Sequence, residues 1–218
     1  ASKQKGGSRQ TQVSKNLSWL LRHGAPKEGL TVRSDGLALM SEVLVKVKCT
    51  REEVTVVVKE SDKQRFAIVT IDGKEYIRAN QGHSFPVPDL ELKRISSADD
   101  IPKGENGLEG VVVHGTYASA WKAIKKSGLS KMTRNHIHFA VGTPGESHVI
   151  SGMRSTCQVL VYVDITKALA DGFDFFLSEN HVVLCPGNAE GYLPTTYFKA
   201  VLDAETEKPF DLDFPGAL

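Results

Sequence analysis

Arginine and histidine recur in short stretches of the sequence that coincide with the ends of predicted elements or with glycine turns. The stretches are residues 21–24, 77–84, 114–116 and 133–139. Arginine presents a planar fork of donors that suits phosphate, and histidine can gain or lose a proton near neutral pH. These residue types favour phosphate binding coupled to proton transfer, although no single stretch specifies a reaction.

Two of the histidines also have the spacing of a metal-binding pair. His136 and His138 alternate along a predicted strand and therefore face the same side of it. Such a pair can bind zinc, but no third ligand is evident from the spacing. The sequence contains no P-loop pattern and no GxGxxG pattern. We therefore predict no bound metal.

An apolar stripe with helical spacing precedes the first of these stretches. It consists of Val13, Leu17, Leu20 and Leu21. Gly24 and Pro26 are typical of a helix end, so we expect Arg22 and His23 on the last turn of the helix.

The elements that follow have the order of a winged helix. The predicted elements are a strand over 30–33, helices over 41–48 and 50–59, and strands over 65–71 and 74–79. Thr50 and Glu53 form a capping box, although the β-branched run 54–58 leaves a strand open as the alternative. Asp72-Gly73 favours a primed hairpin turn. Modules of this kind commonly bind nucleic acid, and many bind only proteins.

A connector rich in proline and glycine, residues 80–109, precedes a different pattern. The predicted elements are strands over 110–113, 136–141 and 158–165, helices over 117–127 and 166–170, one or two strands within 173–184, and a last strand over 197–202. This half is predicted to be a small α+β domain around a split sheet.

Charge and composition restrict the partners and the compartment. Residues 1–95 contain 17 Lys and Arg against 11 Asp and Glu, whereas residues 96–218 contain 10 against 15. A basic half suits a polyanion, with ordinary surface variation as the alternative. No apolar run is long enough for a membrane span, residues 1–12 lack the apolar core of a signal peptide, and three scattered cysteines argue against a disulfide scaffold. We expect an intracellular monomer in a reducing compartment, cytoplasm or nucleus, with no membrane partner.

Several motifs, taken together and in order, resemble one family. They are residues 14–24, 77–84, 113–116, 134–138, 150–155 and 183–187. The chain resembles the NAD⁺-dependent RNA 2′-phosphotransferases from about residue 13 to residue 202. The resemblance implies an α+β protein with a winged-helix lobe and an ADP-ribosyltransferase-like lobe, and an active site between them. The predicted organisation is a flexible tail (1–10), a winged-helix RNA-binding lobe (11–95), a linker (96–109), an NAD-binding lobe (110–207) and a tail (208–218).

The resemblance also assigns site residues. The catalytic set is Arg22, His23, Arg78 and Arg134. The residues expected to contact NAD⁺ as co-substrate are His114, Gly115, Thr116, His138, Gly152 and Arg154. The candidates for binding RNA phosphates are Lys15, Asn80, Gln81 and His83. The implied substrate is 2′-phosphorylated RNA, with tRNA expected.

One departure from wider ADP-ribosyltransferase relatives concerns a glutamate that activates a neutral hydroxyl acceptor. That glutamate would fall near His181 and Val182, where no acid stands, and Glu179 is one strand step away. A 2′-phosphate has a second pKa near 6, so it is already an anionic nucleophile at pH 7 and needs cations rather than a base.

Two other functions remain alternatives at this point. The first is an ADP-ribosyltransferase that caps phosphorylated nucleic-acid ends or modifies protein, which would leave ADP-ribose attached. The second is a non-enzymatic winged-helix RNA-binding protein, which would have no need to keep all four catalytic side chains.

Overall fold

The computed structural model describes residues 3–103, 110–142, 153 and 156–214, with side chains described from Arg9 onward. The chain divides into two compact units, Ala1–Glu91 and Leu92–Leu218. The second unit begins before the predicted linker 96–109 because Lys93–Ile95 pairs with a strand of that unit's sheet. Both units contain helices and strands, so the α+β prediction is confirmed. In the described ranges, no helix is both long and apolar enough to cross a membrane.

The first unit packs helices against a three-stranded antiparallel sheet of order β1-β3-β2. The elements are α1 (Lys3–Trp19), α2 (Ala25–Glu28), β1 (Ala38–Leu39), α3 (Met40–Val47), α4 (Arg51–Lys59), β2 (Phe66–Ile71) and β3 (Lys74–Ala79). The apolar stripe, which begins in α1 and continues into residues 20 and 21, is buried in the core of this unit. Thr50 and Glu53 form the predicted capping box, and α4 is a helix rather than the alternative strand. Asp72 and Gly73 both have positive φ (50° and 72°), which confirms the primed turn.

Helix α1 begins at Lys3, earlier than the predicted start after residue 10. Side-chain contacts with α4 explain part of the extension. Arg9 Nε donates to Glu53 Oε1 at 2.8 Å, and Gln10 Nε2 donates to Glu60 Oε2 at 2.6 Å. The predicted strand over 30–33 is reduced to a single bridge between Val32 and Ala38.

The predicted helix stop at Gly24 and Pro26 is wrong. The chain continues through a π-helical turn, Leu20–Gly24, into α2, where Pro26 occupies the first turn. The N–H of Ala25, just before the proline, closes the π-helical turn by donating to the Leu20 carbonyl oxygen. The proline then takes a first-turn position of α2, where its fixed φ suits a helix. Gly24 is required for a different reason, since a Cβ at this position would lie 2.6 Å from the Trp19 ring.

Within the described residues, seven strands of the second unit form one sheet of order β12-β8-β5-β7-β10-β9-β4. The elements are β4 (Lys93–Ile95), β5 (Val112–Thr116), α5 (Ala118–Ser127), β6 (Leu129–Ser130), β7 (Ile137–Val141), β8 (Val159–Val163), α6 (Ile165–Ala170), β9 (Phe175–Leu177), β10 (Val183–Cys185), β11 (Tyr192–Leu193) and β12 (Phe198–Asp203). Alternate residues of β8 enter two apolar clusters, so both faces of the sheet are buried.

The segment after β12 is packed against the domain, although residues from 208 onward are predicted to be a tail. Phe210 and Phe214 lie edge-on to Trp121 of α5, with ring centroids 6.1 and 5.4 Å away. Asp211 accepts hydrogen bonds from Trp121 Nε1 at 2.8 Å and from Lys125 Nζ at 3.1 Å. These contacts join residues far apart in sequence, which local composition does not reveal.

The hydrogen bonds of Asp211 make the stability of the protein depend on pH in the acid range. Hydrogen bonds from Lys125 and Trp121 lower the pKa of Asp211 from 3.8 to about 2. A depressed carboxyl pKa stabilises the native state above the unfolded value, and the contribution is lost as pH falls from about 4 to about 2. Asp211→Asn should therefore lower the melting temperature at pH 5, and this difference should shrink towards pH 2. Exposed Asp62→Asn is the control. A constant Asp211→Asn deficit across that range would contradict the linkage.

Candidate active site

The first unit brings Arg22 and His23 against the loop that follows β3. The backbone N–H of Ser84 donates to the Arg22 carbonyl oxygen at 2.9 Å. Gly82 allows the loop to turn towards Arg22 because its φ is +91°, a conformation that other residues rarely adopt. The π-helical turn and residues 80–84 therefore hold each other in place.

The His23 ring lies against the side chain of Ser84. Its Nδ1 lies 3.0 Å from Ser84 Oγ, and that hydroxyl lies 3.4 Å from the Arg22 carbonyl oxygen. Ser84 lies within the 77–84 stretch, but its contact with a residue 61 positions away leaves no local signal in the sequence.

Arg78 extends from β3 and is 8% exposed. Its Nη2 donates to Glu91 Oε2 at 3.0 Å, and the Glu91 side chain is itself 83% exposed. An ion pair with so exposed a partner contributes little to stability, so a doubly charged phosphate can compete with it.

The predicted RNA phosphate ligands differ in their exposure to solvent. Lys15 is exposed on α1, whereas Asn80, Gln81 and His83 are buried. Asn80 Nδ2 donates to the Gln64 carbonyl oxygen at 2.7 Å. The same amide nitrogen carries a second N–H, a donor of the kind that binds a phosphate oxygen. Asn80 thus anchors the loop after β3 and stays a candidate phosphate ligand.

The predicted strand over 110–113 ends before His114. In the structure, β5 instead includes His114, Gly115 and Thr116. Strand β5 pairs with β7 at Val112 and Val113, and with β8 as far as Thr116. The backbone pairing of β5 with β7 ends at Val113, and beyond this residue a side chain of β5 makes the contact with β7. His114 Nδ1 lies 2.8 Å from the His138 carbonyl oxygen. The His114 side chain therefore joins β5 to β7 beyond the end of their backbone pairing, which is where the two strands of the predicted split sheet separate.

This hydrogen bond fixes the state of His114. A carbonyl oxygen only accepts, so Nδ1 carries the proton and Nε2 is a bare acceptor in the neutral ring. Burial lowers the pKa of His114 below its usual 6.5. The ring is therefore neutral at pH 7 and suits a hydroxyl donor better than an anion.

Gly115 has a steric requirement. A Cβ at this position would lie 2.9 Å from Cys157 Sγ and 3.0 Å from Met153 Cβ. Thr116 follows as a buried residue, and its carbonyl oxygen accepts from Gln158 N at 2.8 Å. The backbone of β5 is thus closely packed on one side.

Arg134 and His138 flank the start of β7. Arg134 is exposed, in the turn before the strand, and His138 is a buried residue within the strand. Burial and Lys131 lower the pKa of His136, whose ring lies 6.2 Å from that of Phe176. Across the ranges described, no group of three His, Cys, Asp or Glu residues could hold a metal. Gly152 and Arg154 lie outside the described residues.

Residues 178–182, near which the sequence analysis looks for a glutamate, form a tight turn. Ser178 Oγ accepts from Val182 N at 3.0 Å and lies 2.9 Å from Asn180 Oδ1. Glu179 and His181 are exposed, and both Ser178 and Asn180 are buried. Residue types and spacing alone give no signal for this polar turn.

An α+β protein that holds arginine and histidine at the ends of its strands and at a π-helical turn belongs to the class suited to phosphate chemistry. Residues 8–187 match the family described as RNA 2′-phosphotransferase, Tpt1 / KptA family, and the chain belongs to this family. The predicted family is thereby confirmed.

Curated relatives are similar over most of their length. The chain is 46% identical over 212 residues to tRNA 2′-phosphotransferase 1 of Danio rerio, covering 94% of this chain and 90% of the relative. It is 43% identical to tRNA 2′-phosphotransferase 1 of Homo sapiens, covering 94% and 80%. It is 40% identical over 187 residues to tRNA 2′-phosphotransferase of Saccharomyces cerevisiae, covering 81% and 78%.

Proposed function

We propose that this protein is an enzyme that removes an internal 2′-phosphate from RNA, with tRNA as its substrate, and transfers it to NAD⁺. The observation that carries the proposal is the family match over residues 8–187, which spans all four arginine and histidine stretches. The names of the relatives, each a tRNA 2′-phosphotransferase, support the tRNA substrate.

The first unit is proposed to bind RNA as a winged-helix module. Helices α3 and α4 precede the β2–β3 hairpin, and β1 adds a third strand to it. The positive charge of this half suits RNA phosphates. Exposed Lys15 is the candidate phosphate ligand that its surroundings favour most.

The second unit is proposed to be an ADP-ribosyltransferase-like lobe that binds NAD⁺. Neutral His114 presents Nε2 as an acceptor for a ribose hydroxyl, and Thr116 follows on the same side of β5. Gly115 would hold the nicotinamide amide through its backbone. His138 is assigned to the contact with nicotinamide. Gly152 and Arg154 are assigned to contacts with the rest of NAD⁺.

Two chemical steps follow from these assignments. In the first, a 2′-phosphate oxygen attacks C1″ of the nicotinamide ribose, and nicotinamide leaves. In the second, the ribose 2″-hydroxyl attacks phosphorus, the bond to the RNA 2′-oxygen breaks, and ADP-ribose 1″,2″-cyclic phosphate forms. The proton of the 2″-hydroxyl is ultimately transferred to the RNA 2′-oxygen. Arg78 and Arg134, with help from Arg22, stabilise the phosphoryl charge, and His23 transfers the proton.

The test uses an RNA with one internal 2′-phosphate, incubated with and without NAD⁺. We expect 2′-hydroxyl RNA, nicotinamide and the cyclic phosphate only when NAD⁺ is present, with no effect of EDTA. Activity without NAD⁺, or activity that EDTA abolishes, would overturn the proposal. RNA that retains ADP-ribose as the end product would indicate an end-capping transferase, and binding without turnover would indicate a non-enzymatic RNA-binding protein.

A further inference from the structure

Ser84 joins the two functional residues of the π-helical turn through one hydroxyl group. Its Oγ lies 3.0 Å from His23 Nδ1 and 3.4 Å from the Arg22 carbonyl oxygen. The Ser84 backbone N–H donates to the same carbonyl at 2.9 Å. The position of the serine backbone therefore does not depend on its side chain.

These three groups allow two arrangements. In one, the Ser84 hydroxyl donates to Nδ1 and the 3.4 Å contact with the Arg22 carbonyl oxygen carries no hydrogen bond. In the other, both contacts are hydrogen bonds, and the single hydroxyl proton of Ser84 points towards the carbonyl oxygen, which can only accept. The proposal takes the second arrangement. His23 Nδ1 must then donate its own proton to Ser84 Oγ. Nε2 is left as the nitrogen that gains and loses a proton.

We propose that Ser84 is a positioning residue that holds His23 in the tautomer protonated at Nδ1, so that Nε2 exchanges the proton of the reaction. The catalytic consequence rests on the function proposed above. Neutral Nε2 accepts the proton of the ribose 2″-hydroxyl as oxygen bonds to phosphorus. The resulting imidazolium returns that proton to the RNA 2′-oxygen as its bond to phosphorus breaks. Nδ1 stays protonated throughout, so the bond to Ser84 persists in both states.

The first experiment reads the tautomer directly and needs no activity. Ring ¹⁵N NMR of the full chain, with the His23 signals identified by their loss in His23→Gln, should show protonated Nδ1 in the neutral ring. In Ser84→Ala the two tautomers should mix. A wild-type ring protonated at Nε2, or a tautomer unchanged in Ser84→Ala, would overturn the proposal even if the enzyme is active.

The second experiment reads coupling between the two residues during turnover. Ser84→Ala should slow the second step roughly 10–100-fold, by analogy with the groups that orient metal-binding histidines, and Ser84→Thr should restore most of the rate. Ser84→Ala combined with His23→Ala should be no slower than His23→Ala alone, because the two changes remove the same function. Multiplied rate losses would mean that Ser84 acts independently of His23.

A matched serine separates this role from a general effect on folding. Ser61 Oγ lies 3.3 Å from Arg65 Nη1 in the same unit, and neither residue belongs to the proposed site. Ser61→Ala should leave both the tautomer and the second step unchanged. If the wild-type chain has no transferase activity, the proposed function fails while the NMR result still decides whether Ser84 fixes the ring.

Discussion

Arg78→Ala and Arg134→Ala are expected to slow the second chemical step by on the order of 10²–10³-fold and the first step much less. The 2′-phosphate is already charged at pH 7, so the first step requires only that it be held near NAD⁺. In the second step a neutral hydroxyl attacks an anionic phosphodiester, which requires concentrated positive charge. His23→Ala should act on the same step because that step also requires proton transfer.

The measurement is a single-turnover time course with 2′-phosphorylated RNA and NAD⁺ labelled in its ADP-ribose part. The variants should accumulate RNA-2′-phospho-ADP-ribose, which migrates more slowly than the substrate and carries the label. Arg33→Ala is a matched control, since Arg33 pairs with Asp35 at 3.0 Å and has no assigned role. Its time course should match the wild type.

Two further outcomes decide the roles of the arginines. Arg78→Lys should rescue poorly, because a point charge lacks the bidentate fork of the guanidinium. If the alanine variants stall with unmodified 2′-phosphate RNA and no labelled intermediate, the side chains act in binding or in the first step. The role assignment would then be wrong although the family is established.

Local chemistry explains the parts of the fold that the sequence predicts. The α1 stripe, the Thr50–Glu53 capping box and the Asp72-Gly73 turn each depend on neighbours within a few residues. Such features are encoded where they occur. Their positions therefore follow from spacing and residue type alone.

Features that depend on distant contacts were not predictable in the same way. Gly24 and Pro26 have the composition of a helix stop, yet Gly24 accommodates the Trp19 ring and Pro26 starts α2. Asp211 is bonded to Trp121, 90 residues away. The sequence contains these residues but does not show which of them meet.

The candidate site shows the same division. The motifs identify arginines and histidines by type, and the family match covers all four stretches that contain them. The hydrogen bonds that set the tautomers of His23 and His114 come from Ser84 and from the His138 carbonyl oxygen. A backbone carbonyl carries no sequence signature, so only the structure could assign the role of His114 as a neutral acceptor.

His114→Asn is expected to weaken NAD⁺ binding about 10–100-fold, the cost of a buried hydrogen bond left unmade, while RNA binding is unchanged. Asparagine can place its amide donor near the position of Nδ1 and so keep the bond to the His138 carbonyl oxygen. It has no counterpart of Nε2, so the acceptor proposed for the ribose hydroxyl is removed. Calorimetric titration of wild type and variant with NAD⁺ measures the loss.

The pH dependence provides an independent check on the same ring. Burial lowers the native pKa of His114 from 6.5, so the unfolded state binds a proton more readily than the native state. Stability should therefore fall as pH drops below 6.5 towards the lowered native value, and His114→Asn should reduce this fall. Wild-type NAD⁺ affinity should stay constant between pH 8 and pH 7, where the ring is neutral. If NAD⁺ affinity is unchanged in His114→Asn, His114 serves only to bridge β5 and β7, and the NAD⁺ contact must be made by other residues.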